Sequence, residues 1–155
     1  PAAVVARVSW VCGNPAKPAF VEGMVAKALA GQPLAAVADK TSLPTDAADI
    51  ARAVLALGAG EFSGVVHVTS SGEPLSWWQC VNMALQAAVE QGGLPAPPPV
   101  EPQKLDEVPF FKEARPRHTA MGNTRLTAQL GIPMPTAQET IARVVRRYLN
   151  AASAG

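Results

Sequence analysis

Charge is scarce in this sequence. Asp, Glu, Lys and Arg make up 16% of its 155 residues, against about 25% in a typical soluble domain. The 13 basic and 12 acidic residues nearly cancel, which leaves a net charge of +1. Such a balance gives no electrostatic footprint for nucleic acid. Aromatics are 5% of the chain, and histidine and cysteine occur twice each. His67 and His118 lie far apart and no CxxC pair exists, so no metal pattern is present. No apolar run reaches the roughly 18 residues that a membrane span needs. There is no GxGxxG turn after a strand, no phosphate-binding loop and no GxSxG elbow. A charged segment leading into an apolar one, the mark of a signal peptide, is also lacking. The chain by itself therefore carries no self-contained catalytic constellation, and a cytoplasmic protein with Cys12 and Cys80 reduced is expected.

What is there is apolar but small. Hydrophobic residues are 48% of the chain, and 29 residues are alanine. The core is thus built mainly from Val, Leu and Ala. The run Val4-Val5-Ala6-Arg7-Val8-Ser9-Trp10-Val11 reads as one strand buried on both faces, as in a parallel sheet between helix layers. Such a strand needs neighbours, and together with the low charge it suggests a piece of a larger protein whose other part lies on the N-terminal side.

A helix is expected over residues 18–30, with Phe20, Val21, Met24, Val25, Ala28 and Leu29 on one face and Gly31 ending it. A short strand over 33–38 follows. Thr45 or Asp46 caps a second helix with Ile50, Val54 and Leu57 inward. Gly64 to Thr69 reads as another buried strand. Ser76-Trp77-Trp78-Gln79 and Thr136-Ala137-Gln138-Glu139 are capping boxes that open two more helices, and a shorter helix is expected over 124–130. The alternation of strands and helices means an α/β fold with parallel pairing. Residues 94–122 break it: seven prolines, the pair Phe110-Phe111 and the cluster Arg115-Pro116-Arg117-His118 read as a long ordered loop that folds over something.

Several residues have two readings on position alone. Trp10 ends a strand, where open α/β sheets bind ligands, and is either a core residue or the wall of a site. Residues 39–45 (DKTSLPT) are either a site-shaping loop or a turn leading to a cap. Arg115 and Arg117 either match a phosphate or form a solvated loop. His67 reads as a satisfied core histidine. Arg143, Arg146 and Arg147 read as a solvated outer helix face.

Five segments in order carry a resemblance. RVSWVCG (Arg7 to Gly13), DKTSLPT with Asp49-Ile50-Ala51, GVVHVTSSGEPLSWWQ (Gly64 to Gln79), EARPRHTAMGNTRL (Glu113 to Leu126) and the last helix together resemble the C-terminal half of the dTDP-4-dehydrorhamnose reductases, which are extended short-chain dehydrogenase/reductases. The chain departs from that pattern at Val8 (threonine in the family), Cys12 (tyrosine), Lys40 (glutamine), Ser42 (glycine) and His118 (asparagine).

The resemblance implies the C-terminal portion of a Rossmann-type reductase, with parallel strands, helices and a small substrate-side subdomain. Residues 1–155 then form the sugar-nucleotide-binding part. The dinucleotide-binding half, with its glycine-rich turn and catalytic Tyr-x-x-x-Lys pair, lies outside the chain. No catalytic residue is assigned here, and the chain alone is expected to be inactive. The implied reaction reduces the 4-keto group of a dTDP-sugar with NADPH or NADH, bound mainly by the other half. Trp10 is the first substrate-binding candidate, Arg115 the diphosphate partner, and Phe20 a shaper of the nucleotide end. Ser9, beside Trp10, is the cofactor-side candidate. Implied partners are the dTDP-sugar and the N-terminal half, with a homodimer left open and neither nucleic acid nor membrane involved. The alternative is a non-catalytic binding protein similar to the regulatory subunit of methionine adenosyltransferase, or a stand-alone binding module.

Overall fold

The computed structural model describes residues 3–14, 17–109, 111 and 113–153. Among these residues, four helices and four pairs of short strands make up an α/β fold, and three of the strand pairs are parallel. The first strand, β1 (Val4–Arg7), pairs with β6 (Gly64–His67) in the register Val5 to Val65. β2 (Trp10–Cys12) pairs with β5 (Pro44–Asp46). β3 (Leu34–Val37) pairs with β8 (Val100–Gln103). The fourth pair, β4 (Thr41–Ser42) with β7 (Leu75–Ser76), is antiparallel.

The apolar run at the start differs from its expected form in two ways. It is split into β1 and β2 around Val8 and Ser9. It is also buried on one face only: Val5, Val8, Val11 and the paired Val65 are 52, 43, 40 and 41% exposed. Val4 and Ala6 supply the buried side and pack against the Ala53, Leu57, Val66 and Val68 cluster. The other face has no covering layer among the described residues.

The helices follow their sequence signals. α1 (Phe20–Leu29) buries Val21, Met24, Val25 and Ala28, and Gly31 at φ +65 turns the chain out of it. α3 (Trp77–Glu90) opens with the expected capping box, Ser76 Oγ accepting from Gln79 N at 3.1 Å and Gln79 Oε1 accepting from Ser76 N at 2.7 Å. A cap of this kind stabilises a helix by about 1 kcal/mol. α4 (Ala137–Ser153) opens on the second box, where Glu139 accepts from the Thr136 backbone N–H at 2.8 Å. α1, α3 and α4 share one core of Val21, Val25, Cys80, Ala84, Ala88, Ile141 and Val145. The expected helix over 124–130 is a single widened turn, Arg125–Gln129, that buries Leu126.

Helix α2 (Ala47–Ala59) is capped by Asp46, whose carboxylate accepts from Ala48 N at 3.0 Å. Its inward stripe differs from the expected one. Asp49, Ala53 and Leu57 are buried, while Val54 is 45% exposed. A carboxylate faces inward because α4 meets it with cations. Arg143 binds the Asp49 carboxylate, and Arg147 Nη2 lies 2.8 Å from both oxygens of Asp46. Asp46 and Asp49 are only 1 and 3% exposed. So Arg143 and Arg147 are not a solvated face: they neutralise two buried carboxylates and tie α4 to α2 and β5. Gly13 packs against this cluster at φ +94, and a Cβ there would collide with the Asp46 carboxylate. Arg52 adds a 3.0 Å contact to Asp49.

Residues 94–122 are also more regular than expected. They contain β8 and a single 3-10 turn, Leu105–Glu107, whose Leu105 N–H donates to Asp39 at 2.8 Å. Leu105 and Val108 pack on Val37 and so fasten the stretch to the core. His67 is half-buried, and its Nδ1 lies 3.1 Å from the Gly122 carbonyl.

Candidate functional site

The N-terminal ends of β2, α1 and α3 meet at one place, and each brings an aromatic ring to it; Trp10 opens β2 and does not end a strand as the sequence led one to expect, because the run breaks at Val8 and Ser9. Trp10 comes from β2, Phe20 is the first residue of α1 and Trp77 the first of α3. Their centroids lie 5.7 Å (Trp10–Phe20), 5.5 Å (Trp10–Trp77) and 5.2 Å (Phe20–Trp77) apart. Phe111 adds an edge-on contact to Trp77 at 6.1 Å. All four rings are only partly buried, so together they offer a half-open apolar wall. In a protein with eight aromatic residues, half of them stand here. Tilted and edge-on pairs at these distances are favourable beyond their buried area.

Beside the wall is a cavity of about 380 Å³, lined by Phe20, Met24, Val37, Trp77, Val108 and Phe111 among others. That is within the usual size for a small-molecule site. The two adjacent tryptophans differ in how their indoles are satisfied. Trp78 Nε1 donates to the Val100 carbonyl at 2.9 Å, whereas Trp77 Nε1 is buried and has no hydrogen-bond partner. An orphaned buried donor costs free energy unless something accepts from it.

A strap formed by residues 113–119 crosses the rim, and residues 39–41 grip it. Asp39 binds the Arg117 guanidinium, and Lys40 Nζ donates to the Pro116 carbonyl. Thr41 Oγ1 lies 2.7 Å from His118 Nδ1, while its backbone N–H donates to the Arg117 carbonyl at 2.7 Å. The grip sets Arg115 over the face of Phe111, 4.2 Å from the ring centroid, and Lys40 over Trp77 at 5.7 Å. Lys40 is 6% exposed. Burial, and then the nearby Arg115 charge, hold its ammonium below the ordinary lysine pKa.

The sequence candidates Trp10 and Phe20 thus fall into direct contact, and Arg115 joins them through Phe111. Ser9 lies next to Trp10, but its hydroxyl donates to the Thr119 carbonyl at 3.0 Å and lies 3.2 Å from Ser42 Oγ. It ties β2 to the strap. Trp77, Phe111 and Lys40 were not among the sequence candidates. The signal for Trp77 was its place directly after a helix cap that follows a strand, which puts a side chain at the strand-end side of the sheet. Cys12 and Cys80 are free and buried. Burial raises both thiol pKa values, that of Cys80 to about 12. Among the described residues no cluster of His, Cys, Asp and Glu is arranged to hold a metal. No helix among them is long and apolar enough to cross a membrane.

Comparison with known proteins places the chain as a whole. The family model of the RmlD substrate binding domain matches residues 1–150. The chain belongs to that family. Among solved structures, the fold is similar to dTDP-4-dehydrorhamnose reductase from Yersinia enterocolitica, with a TM-score of 0.80 at 19% identity over 94% of this chain and 49% of that one. The enzyme of the same name from Bacillus anthracis, in complex with NADP, gives 0.75 at 22% identity over 91% and 47%. UDP-glucuronic acid 4-epimerase from Bacillus cereus, in complex with NAD, gives 0.64 at 14% identity over 96% and 45%. The chain therefore spans about half the length of these structures. No curated protein matches the sequence.

Proposed function

We propose that this chain is the sugar-nucleotide-binding part of a nicotinamide-dependent reductase acting on the 4-keto group of a dTDP-sugar. The observation that carries this reading is the aromatic wall of Trp10, Phe20, Trp77 and Phe111, placed beside a cavity and rimmed by Arg115 and Lys40. Flat rings suit a pyrimidine base and the apolar face of a sugar. Guanidinium and ammonium suit the diphosphate that joins them. Trp10 and Phe20 take the nucleotide and sugar side, and Trp77 Nε1 offers a donor to an oxygen of the ligand.

The residues fit a nicotinamide dinucleotide less well. No glycine-rich turn is present, and the Ser9 hydroxyl is already committed to Thr119. NADPH or NADH, which supplies the hydride, is accordingly held in this reading mainly by a dinucleotide-binding half outside the chain. That half also carries the tyrosine and lysine that move the proton. What this chain does is bind and orient the sugar nucleotide and exclude water from it. The half-exposed valines Val5, Val8, Val11 and Val65 are the surface on which the other half packs in this reading. A cytoplasmic setting, with both thiols reduced, belongs to the same proposal.

The test is binding. Tryptophan fluorescence on titration with a dTDP-hexose should report saturable binding to the wild type, weakened about tenfold by Trp10→Ala, the usual worth of one stacked aromatic. Equal affinity in the variant would remove Trp10 from the site.

A further inference from the structure

Three of the helices begin with a side chain that accepts from their own first turn: Asp46 for α2, Ser76 for α3 and Thr136 for α4. The start of α1 is different. Its cap residue is Ala19, which has no side-chain acceptor, although the next residue, Phe20, is a ring of the aromatic wall. The first turn of α1 instead reaches back along the chain through Glu22. Its Oε1 accepts from the Gly13 backbone N–H at 2.6 Å, directly after β2 ends at Cys12. Glu22 is 1% exposed, has no ion pair among the described residues, and its Oε2 is buried without a hydrogen-bond partner. A carboxylate enclosed in this way is a poor choice for stability. What it does is hold a place. Gly13 is a fixed point, since its φ is +94 and a Cβ there would collide with the Asp46 carboxylate and Arg147. Trp10 lies two residues before Cys12 on β2, and Phe20 two residues before Glu22 on α1. The bond from Glu22 to Gly13 therefore closes a short circuit behind the two rings, whose centroids are 5.7 Å apart.

We propose that Glu22 is a positioning residue of the site: by holding Gly13 it sets the start of α1 against the end of β2, and so sets Phe20 against Trp10. The inference rests on the sugar-nucleotide reading given above for the identity of the ligand, but not for the placing of the rings. Glu22 does not line the cavity beside the wall, so it acts through the two rings and not by touching the ligand. The role belongs to Oε1 as an acceptor. A glutamine carries the same oxygen at the same reach, whereas a leucine fills the space and accepts nothing. A negative charge in the first turn also suits the positive end of the α1 dipole. Glutamine lacks that charge, so it separates the acceptor from the charge.

Two measurements on the full chain test this, for the wild type, Glu22→Gln and Glu22→Leu, each shown to be folded by circular dichroism. The first needs no ligand. Nuclear Overhauser contacts between the Phe20 and Trp10 rings, and slow exchange of the Gly13 amide proton, should be present in the wild type and in Glu22→Gln and lost in Glu22→Leu. The second is calorimetric titration with dTDP-glucose. Glu22→Leu should bind about fivefold more weakly, what one hydrogen bond contributes, and Glu22→Gln should match the wild type. In a Phe20→Ala background Glu22→Leu should cost nothing further, because the ring it acts through is gone. Unchanged ring contacts in Glu22→Leu would overturn the assignment. So would an equal fall in affinity with and without Phe20, which marks general loosening, or a Glu22→Gln as weak as Glu22→Leu, which gives the role to charge. A wild type that does not bind dTDP-glucose refutes the sugar-nucleotide reading, and the ring contacts then decide alone whether Glu22 sets the wall. Should Glu22→Leu not fold, Glu22→Asp, whose reach is one methylene shorter, replaces it with the same expectations.

Discussion

Asp46 and Asp49 are buried at the start of α2, and Lys40 is buried under the strap at the aromatic end, yet among the described residues only these two carboxylates, and not Lys40, have partners of opposite charge. Between α2, β5 and α4, charge is enclosed and neutralised within the chain, which leaves nothing for a ligand and fixes how the elements sit together. At the aromatic end, Lys40 is enclosed without an ion pair among the described residues, over the ring of Trp77, whose indole N–H is itself orphaned. A buried pair contributes little net stability but is costly to break, whereas a lone buried ion destabilises the fold that encloses it.

The largest effect should come from breaking the first region. Arg147→Met leaves Asp46 enclosed with Arg143 only at 3.8 Å. Loss of one partner of a fully buried pair costs roughly 3–5 kcal/mol. Arg147 keeps 37% of its side chain in solvent, so about 2–3 kcal/mol is expected in urea unfolding. Adding Asp46→Asn should recover part of the loss, since asparagine removes the stranded charge and still caps α2. If Arg147→Met unfolds at the wild-type urea concentration, the two regions do not differ as described.

Lys40→Met should do the reverse and cost no stability, since it removes a buried charge that has no ion pair among the described residues. The sign with pH follows from its lowered folded-state pKa. Between that value and the ordinary lysine value near 10.5, the unfolded chain binds more protons than the folded one, so wild-type stability rises with pH through this window. The methionine variant has no such rise. Its advantage over the wild type should be present at neutral pH and shrink toward pH 10.5, read as the difference in melting temperature. Asp39, Arg115, Arg117 and His118 are common to both proteins and drop out of that difference. A variant less stable than the wild type at pH 7 would show that the ammonium is already well compensated.

The same contrast explains what could be read from sequence. Local patterns were legible: both capping boxes, the end of α1 at Gly31 and the alternation of elements come from spacing along a few residues, and the structure has them. Trp10 and Phe20, named from the family resemblance, come into ring contact in the structure, although Trp10 opens β2 where a strand end was expected. The ion pairs were not, since they join residues 94 and 101 positions apart, and an arginine on an amphipathic helix looks the same whether or not a carboxylate lies beneath it. β8 was hidden by Pro102, which a strand with one hydrogen-bonded neighbour tolerates. Phe111 and Lys40 sit in segments whose only local signal is turn chemistry, and their contact with Trp77 exists only once the strap has closed over it. The Val4–Val11 run was read correctly as apolar, but sequence alone did not show that one of its faces has no cover within the described chain.

Thiol chemistry sharpens the comparison further, at smaller effect. Cys12 lies near Glu22 and Asp46, and Cys80 lies in the shared helix core. Burial raises both pKa values, that of Cys80 to about 12. Both thiols therefore stay protonated at pH 8 and should react with a disulfide reagent only on unfolding. Two fast-reacting thiols in the native protein would mean that the compensated region opens far more readily than its ion pairs allow.

Glu139 tests the smallest case, a charge held in solvent. Its carboxylate accepts from the Thr136 backbone N–H at 2.8 Å and from the Thr136 hydroxyl at 2.9 Å, and the backbone bond foremost holds its pKa below the usual glutamate value. A depressed folded-state pKa means stabilisation that is complete above the unfolded value and fades as pH falls through the lowered one. Glu139→Gln keeps an acceptor for the cap but loses the charge. Its melting temperature should lie slightly below that of the wild type at pH 7, and the gap should close in acid once Glu139 is protonated. The closing, more than the size of the gap, distinguishes a charge effect from a packing effect. A gap equally wide at pH 3 and pH 7 would mean that the residue acts through shape alone, and that solvent leaves nothing of its charge for the helix to use.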